Sequence, residues 1–252
     1  MMKNKHDSPL AHSGAGYLML GFSLIKSKGI KRFVFIPLTV NLCLFAVAFS
    51  YIFTQLGEWM AAFEAWLPTS LQWLTWIAQP LTLLFFLVFF SFIFSSVANW
   101  LAAPFNGLLA EKLEAKLTNN TPPSGSTVDI VKDIPRTLSR EWCKFRYYLP
   151  RAVGFFILSF IPLLGQIMWF FFVAWMMAIQ YKDYAFDNHK IPFDQMKRVL
   201  ADHKGLSYSF GITTAVFSMI PFVNLIIMPV AICGATALWV DRYRTQVIGS
   251  SH

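Results

Sequence analysis

The sequence predicts an all-α integral membrane protein, with two long transmembrane helices, two re-entrant (hemi-penetrating) helical hairpins and amphipathic surface helices. The first supporting observation is composition: 56% of the residues are hydrophobic and only 13% are charged, whereas soluble domains carry about 25% charged residues. The second is the distribution of charge. Four long runs contain no Asp, Glu, Lys or Arg, and they cover residues 33–57, 65–110, 152–181 and 205–240.

The first two runs predict the two transmembrane helices. A helix that crosses a hydrocarbon core about 30 Å thick needs about 20 apolar residues, and residues 31–56 meet this requirement. The second run is too long for one span. Pro80 is expected to divide it, so that a transmembrane helix and its polar extension occupy 81–117. The tryptophan-rich stretch 59–78 is expected to lie along the membrane–water boundary, where tryptophan is enriched.

The third and fourth runs share an internal repeat, SFIPLLG at 159–165 and SMIPFVN at 218–224. Each copy places proline with glycine or asparagine between two apolar stretches, which is turn chemistry. One interpretation is a pair of transmembrane helices that are kinked at the prolines. The other is two re-entrant hairpins, over 152–181 and 206–240, each of which enters the bilayer and returns to the same side.

Flanking charge favours the hairpins and predicts the orientation of the chain. The third run lies between Arg151 and Lys182, and the fourth lies between Lys204 and Arg242. Because basic residues accumulate on the cytoplasmic side, a hairpin keeps both of its basic ends inside, whereas a spanning helix would place one of them outside. The loop 57–79 carries no Lys or Arg and is expected to face outward.

Amphipathic helices are expected at 12–26 and at 129–149, both next to the membrane surface. Residues 1–246 are therefore expected to form a single membrane domain. Residues 247–252 are expected to form a tail outside this membrane domain, with a sequence typical of an artificial addition. The three cysteines, Cys43, Cys143 and Cys233, are far apart in the sequence and are expected to be packing residues.

Several functional classes find no support in the sequence. The net charge of +8 is placed beside hydrophobic runs, where it suits anionic lipid headgroups rather than nucleic acid. The five histidines are scattered, and there is no zinc-protease, nucleophile-elbow, P-loop or dinucleotide motif. We therefore expect no enzyme activity, no catalytic residues, no metal, no cofactor and no nucleic-acid partner.

The basic stretch before the first transmembrane helix can be interpreted in two ways. Gly29 is expected to end one helix, and the next is expected to begin at Ile30 or Lys31, so that its first N–H groups lack intrahelical partners. Together with Lys31 and Arg32, these groups could bind an anion at the positive end of the helix dipole. Alternatively, the cations only set the membrane orientation and contact lipid phosphate.

Several longer segments, in the same order, resemble the CysZ family of bacterial sulfate permeases. The resemblance extends from about residue 12 to residue 246, over nearly the whole chain. The segments that carry it are KGIKRFVFIPL (28–38), ANWLAAPFNGLLAEKLEAKL (98–117), KDIPR (132–136), REWCKFRYYLPRA (140–152), AIQYKDYAFDNHKIPF (178–193) and IPFVNLIIMPVAICGATALWVDRYR (220–244).

The resemblance implies sulfate uptake across the bacterial inner membrane for cysteine synthesis, by a multi-pass homo-oligomer in contact with the lipid bilayer. It implies two spanning helices and two hemi-penetrating hairpins. It also implies that sulfate binds at Gly29, Ile30, Lys31 and Arg32. The family often has proline before the glycine and two arginines after it, whereas this chain has Lys28 and Lys31 at those positions, and lysine lacks the bidentate fork of arginine.

Three further polar residues are expected near the end of the second transmembrane helix: Asn99, Asn106 and Glu111. Polar groups at membrane depth are candidates for a transport pathway, although asparagines also join packed helices through hydrogen bonds.

Two other functions stay open at this point: a permease for another oxyanion such as sulfite, and a membrane scaffold or regulatory subunit without flux of its own. A channel and a proton-coupled carrier are equally compatible with the sequence.

Overall fold

The computed structural model describes residues 10–69, 74–119 and 127–249, and in some helical stretches, 90–104 and 127–135 among them, it describes the backbone alone. Every regular element in these ranges is helical, which confirms the predicted all-α class. The elements are α1 (Gly14–Leu24), α2 (Lys31–Trp66), α3 (Thr75–Thr118), α4 (Thr127–Leu158), α5 (Leu164–Asn188), α6 (Phe193–Asp202), α7 (Lys204–Ser218), α8 (Pro221–Leu238), a π-helical turn (Trp239–Tyr243) and α9 (Arg244–Ile248).

The chain divides into two compact units, of which the smaller comprises residues 35–105. It contains most of α2 and the first part of α3, which contact each other where Trp59 stacks on Phe86 with ring centroids 5.2 Å apart. Of the stretch 59–78, which was predicted to lie along the membrane–water boundary, residues 59–66 continue α2 and residues 75–78 begin α3. Its sequence has good helix formers and no break before Trp66, so α2 simply continues.

The larger unit comprises residues up to 34 and from 106 onward, and α1 lies at its centre. The sequence predicted an amphipathic surface helix here. The observed helix is apolar, and Tyr17 and Leu18 are fully buried. Glycines allow this packing, because a Cβ at Gly14 would lie 2.1 Å from the Leu206 carbonyl oxygen, and one at Gly21 would lie 2.2 Å from that of Val230. Helix α1 therefore contacts α7 and α8 directly.

Helices α4 and α5 form an antiparallel hairpin. Contacts pair residues at increasing distance from the turn: Phe156 with Trp169, Tyr148 with Phe172, and Arg140 with Asp183. At the turn, the Leu164 N–H donates to the Pro162 carbonyl at 2.8 Å, and Leu163 has φ 67° and ψ −59°, as in a γ-turn. The chain therefore reverses at the first repeat instead of continuing as a kinked helix.

Helices α7 and α8 also run in opposite directions, as their contacts with α1 demonstrate. The start of α1 approaches Phe210, and its end meets Phe217, so α1 is parallel to α7. In contrast, Gly21 approaches Val230 while Tyr17 donates a hydrogen bond to Asp241, so α1 is antiparallel to α8. The second repeat is therefore also a point of reversal.

Among the described residues, three helical stretches are long and apolar enough to cross a membrane: Leu42–Trp66, Leu164–Asn188 and Val223–Ile248. The first overlaps the predicted transmembrane helix 31–56 but continues to Trp66, and none of its most apolar 18 residues is buried within the protein, as expected for a surface that faces lipid. The other two contain the second helix of each hairpin, α5 in the first and α8 in the second. Length and hydropathy alone therefore do not distinguish a spanning arm from a re-entrant one.

Candidate anion-binding site

The loop between α1 and α2 contains the four residues predicted to bind an anion. Gly29 has φ +87°, a backbone conformation that glycine adopts without strain. The Ser27 carbonyl accepts hydrogen bonds from the N–H groups of Ile30, at 3.1 Å, and Lys31, at 3.4 Å. These bonds close the turn, and α2 begins at Lys31, within the range that the sequence predicted.

Ile30 anchors the loop, because its side chain is only 2% exposed. In the part of the chain that the structure describes, the N–H groups of Gly29 and Arg32 have no hydrogen-bond partner. They lie at the amino terminus of a helix of 36 residues. Free donors at the positive end of a helix dipole favour a negatively charged ligand.

Five cations surround this helix start. Lys26, Lys28, Lys31 and Arg32 are exposed, and none of them pairs with a carboxylate among the described residues. The fifth is Lys116 near the end of α3, whose Nζ donates to the Lys28 carbonyl at 3.1 Å. The Arg32 guanidinium lies over the Phe33 ring, 5.1 Å from its centroid. The loop therefore combines unpaired positive charge with free N–H donors.

Two of the three predicted pathway residues, Asn106 and Glu111, belong to the same compact unit as this loop. Asn106 is 6% exposed, and its Nδ2 donates to the Tyr184 hydroxyl at 3.3 Å and to the Met228 sulfur at 3.5 Å, so it joins α3 to α5 and α8. Glu111 is half-buried. The side chain of Asn99 lies outside the described residues. No contact in the described ranges joins Asn106 or Glu111 to residues 29–32.

Sequence reasoning missed a buried carboxylate that holds three segments together. Glu114 on α3 accepts hydrogen bonds from His189 Nε2 at 2.8 Å and from Arg244 Nε at 3.0 Å. Glu114 is only 8% exposed, and the two hydrogen bonds satisfy a carboxylate that would be costly to bury without partners. The three residues are far apart in the sequence, so no local pattern indicated that they meet.

A second group that the sequence analysis missed is an ionic ladder between α4 and α5. Arg136 pairs with Asp187 at 2.5 Å, Arg140 pairs with Asp183 at 2.7 Å, and Lys144 pairs with Asp183 at 3.0 Å. Burial lowers the pKa of the Lys144 ammonium, but the nearby carboxylates of Asp183 and Glu141 raise it above its ordinary value overall. The four-residue spacing on both helices, which places the groups on facing sides, was a signal that could have predicted this ladder.

The fold and the loop define an all-helical membrane protein in which a 36-residue helix with an exposed apolar surface begins in a cluster of unpaired cations. Sequence comparison places the chain within that class. Residues 17–229 match the family described as "Sulfate transporter CysZ/Etoposide-induced protein 2.4", and the chain belongs to this family. The match covers most of the chain and confirms the resemblance seen in the individual segments. The family is one of transporters and suggests a sulfate-transporter-like function.

Proposed function

We propose that this protein is a sulfate permease of the bacterial inner membrane that supplies sulfate for cysteine synthesis. The observation that carries the proposal is the helix start at Lys31, where free N–H groups of Gly29 and Arg32 meet unpaired cations, in a chain of the sulfate transporter family. Sulfate is a dianion with four acceptor oxygens, so it can use backbone donors and side-chain cations together.

The loop residues have separate roles in this proposal. Gly29 turns the backbone so that the N–H groups are exposed, and buried Ile30 fixes the loop to the protein. Arg32 supplies planar, paired donors, whereas Lys31 supplies a flexible point charge. Because only one of the two cations is arginine, the backbone N–H groups carry more of the geometry that recognises the anion.

The membrane arrangement that we propose has α2 and α3 crossing the bilayer and the two hairpins entering it partway from the cytoplasmic side. The arm of the first hairpin that follows Arg151 has about seven residues before its turn, or about 10 Å of helix, much less than a hydrocarbon core of about 30 Å. The turn is suited to lipid, because the Gln166 side chain donates to the Ser159 carbonyl at 3.0 Å and satisfies a group that water cannot reach.

Asn99, Asn106 and Glu111 are proposed to lie along the route that sulfate takes beyond the loop. Asn106 already binds two neighbouring helices, so a role in transport would require it to exchange a partner. We propose that several copies of the chain assemble and that the route runs within or between them.

The test is uptake of radiolabelled sulfate into liposomes that contain only this protein, with empty liposomes as the control. We expect uptake above the control that excess unlabelled sulfate abolishes. Stronger competition by sulfite or phosphate than by sulfate would indicate a permease for another oxyanion. Uptake equal to that of empty liposomes would contradict the proposal and favour a scaffold or regulatory subunit.

A further inference from the structure

A groove of about 450 Å³ lies on the outside of the first hairpin, between α4 and α5. Both of its walls belong to the larger unit, and all of the residues that line it are described. The groove is open along the hairpin and lies away from the loop at residues 29–32. It is therefore separate from the anion site proposed above.

The two ends of the groove differ in polarity. Near the base of the hairpin it is lined by Glu141 and Lys144 from α4 and by Ile179, Gln180 and Tyr181 from α5, so that four of these five side chains are polar. Toward the turn it is lined by Phe145, Tyr148, Val173, Met176 and Met177, of which only Tyr148 carries a hydroxyl group. Because α4 and α5 are antiparallel, the polarity changes along the hairpin axis, and in the membrane arrangement proposed above the more apolar end is the one nearer the membrane. A ligand that fits this gradient has a polar head and an apolar tail.

The polar end contains hydrogen-bond donors that have spare capacity. Lys144 is 7% exposed, and its ammonium group has three donors, of which Glu141 and Asp183 occupy two. The Gln180 amide and the Tyr181 hydroxyl have no hydrogen-bond partner within the described ranges. These three groups lie at one end of the groove and can donate together to a phosphate.

The polar end also contains one exposed acceptor. The Glu141 side chain is 56% exposed and pairs with Lys144 through Oε1, so its exposed carboxylate can also accept from a cation outside the protein. Donors for a phosphate beside an acceptor for a cation match a zwitterionic headgroup. A headgroup with a primary ammonium would match best, because it can donate hydrogen bonds to the carboxylate.

We propose that this groove binds a zwitterionic phospholipid with a primary amine, such as phosphatidylethanolamine. The phosphate accepts from Lys144, Gln180 and Tyr181, the ammonium donates to Glu141, and an acyl chain lies against Met176, Met177 and Val173. Phosphatidylcholine is a poorer ligand because its quaternary ammonium has no N–H donor. Phosphatidylglycerol is a poorer ligand because it offers Glu141 no cation.

Native mass spectrometry of the purified full-length protein tests the proposal. The protein is equilibrated in detergent with equal amounts of phosphatidylethanolamine, phosphatidylcholine and phosphatidylglycerol, and the retained lipids are counted. We expect at least threefold more retained phosphatidylethanolamine than either competitor. Equal retention of all three, or preferential retention of phosphatidylglycerol, would overturn the proposal.

Variants locate the bound lipid in the groove. Glu141→Gln should abolish the preference for phosphatidylethanolamine over phosphatidylcholine, and Met177→Trp should lower total retention by filling the apolar end. The matched control is Asp202→Asn, which removes an exposed carboxylate at the end of α6 and should leave the preference unchanged. Monodisperse elution in gel filtration confirms that each variant is folded. A preference that persists in Glu141→Gln and Met177→Trp would place the lipid elsewhere and contradict the proposal.

Discussion

Gly29 is the single residue on which the geometry of the proposed anion site depends most. Its φ of +87° is in the left-handed region, and a Cβ added there would meet no atom within 4 Å. Any effect of a side chain at this position must therefore come from the backbone itself. A residue with a Cβ is destabilised by roughly 1–2 kcal/mol in left-handed conformation, so it would shift the backbone and redirect the free N–H groups.

We expect Gly29→Ala to weaken sulfate binding and to lower the free energy of unfolding by about 1 kcal/mol, whereas Gly29→Asn, which tolerates positive φ, should retain more of both. Equilibrium binding of radiolabelled sulfate and thermal unfolding in detergent measure these effects. The control is Gly154→Ala on α4, where the added Cβ also meets nothing but the backbone is helical. Unchanged sulfate binding by Gly29→Ala would argue against a backbone anion site.

At the residue scale, the sequence predicted the helix start because its signals are local. Glycine, a change from polar to apolar residues, and a cluster of cations lie within a few positions of one another. Glu114 could not be predicted in this way. Its partners His189 and Arg244 come from other elements, and nothing near Glu114 in the sequence indicates them. The burial of Ile30 likewise depends on tertiary packing.

At the scale of elements, the first hairpin is held together by the ladder of Arg136, Arg140 and Lys144 with Asp183 and Asp187. The central pair is buried, with side-chain exposures of 8% for Arg140 and 5% for Asp183. Removing one member of a buried pair leaves an uncompensated charge, and such losses are typically about 3–5 kcal/mol. Exposed pairs contribute far less.

We therefore expect Asp183→Asn to destabilise the protein by about 3 kcal/mol, because it leaves Arg140 and Lys144 without their shared carboxylate. Thermal unfolding in detergent measures the change. Asp194→Asn is the control, since Asp194 is 79% exposed and pairs only with Lys197 on its own helix; it should change the stability by less than about 1 kcal/mol. Equal effects of the two variants would mean that the ladder does not stabilise the hairpin.

The repeat in the sequence predicted both reversals of the chain, since proline with a nearby glycine or asparagine interrupts an apolar helix in each copy. Two features of the elements were not predicted. Helix α1 is short and apolar, and such a helix can lie on a membrane or pack inside a protein. Because Gly14 and Gly21 have no side chain, the backbones of α7 and α8 approach α1 closely, and this favoured packing inside the protein. The extension of α2 to Trp66 was missed because tryptophan marks an interface without ending a helix.

At the scale of the whole molecule, the main proposal to be tested is that both ends of each hairpin lie on the cytoplasmic side. A basic residue lies at each end of both hairpins: Arg151 and Lys182 for the first, and Lys204 and Arg242 for the second. Between the two basic residues of each hairpin the chain reverses its direction. The second helix of each hairpin is nevertheless in a stretch that is long and apolar enough to cross a membrane. Accessibility from each side of the membrane therefore decides between re-entrant and spanning arms.

We expect cysteines at the base and at the tip of the first hairpin to differ in their reaction with a membrane-impermeant maleimide. The native Cys143, which is exposed, and Lys190→Cys should both react from the cytoplasmic side, each as the single cysteine of its variant. Phe160→Cys at the turn should react from neither side, because the tip would lie in lipid. Reaction of Phe160→Cys from the outer side would mean that the hairpin crosses the bilayer.

The central claim is that the cationic loop at residues 29–32 binds the sulfate that the protein transports. The most direct test compares sulfate uptake by liposomes containing the parent protein with uptake by the Lys31→Ala/Arg32→Ala variant. The control variant, Arg146→Ala/Arg198→Ala, removes two exposed cations from α4 and α6. We expect at least a tenfold loss of uptake in the loop variant and near-parental uptake in the control. Parental uptake by the loop variant would contradict the claim and leave those charges with a role in membrane orientation alone.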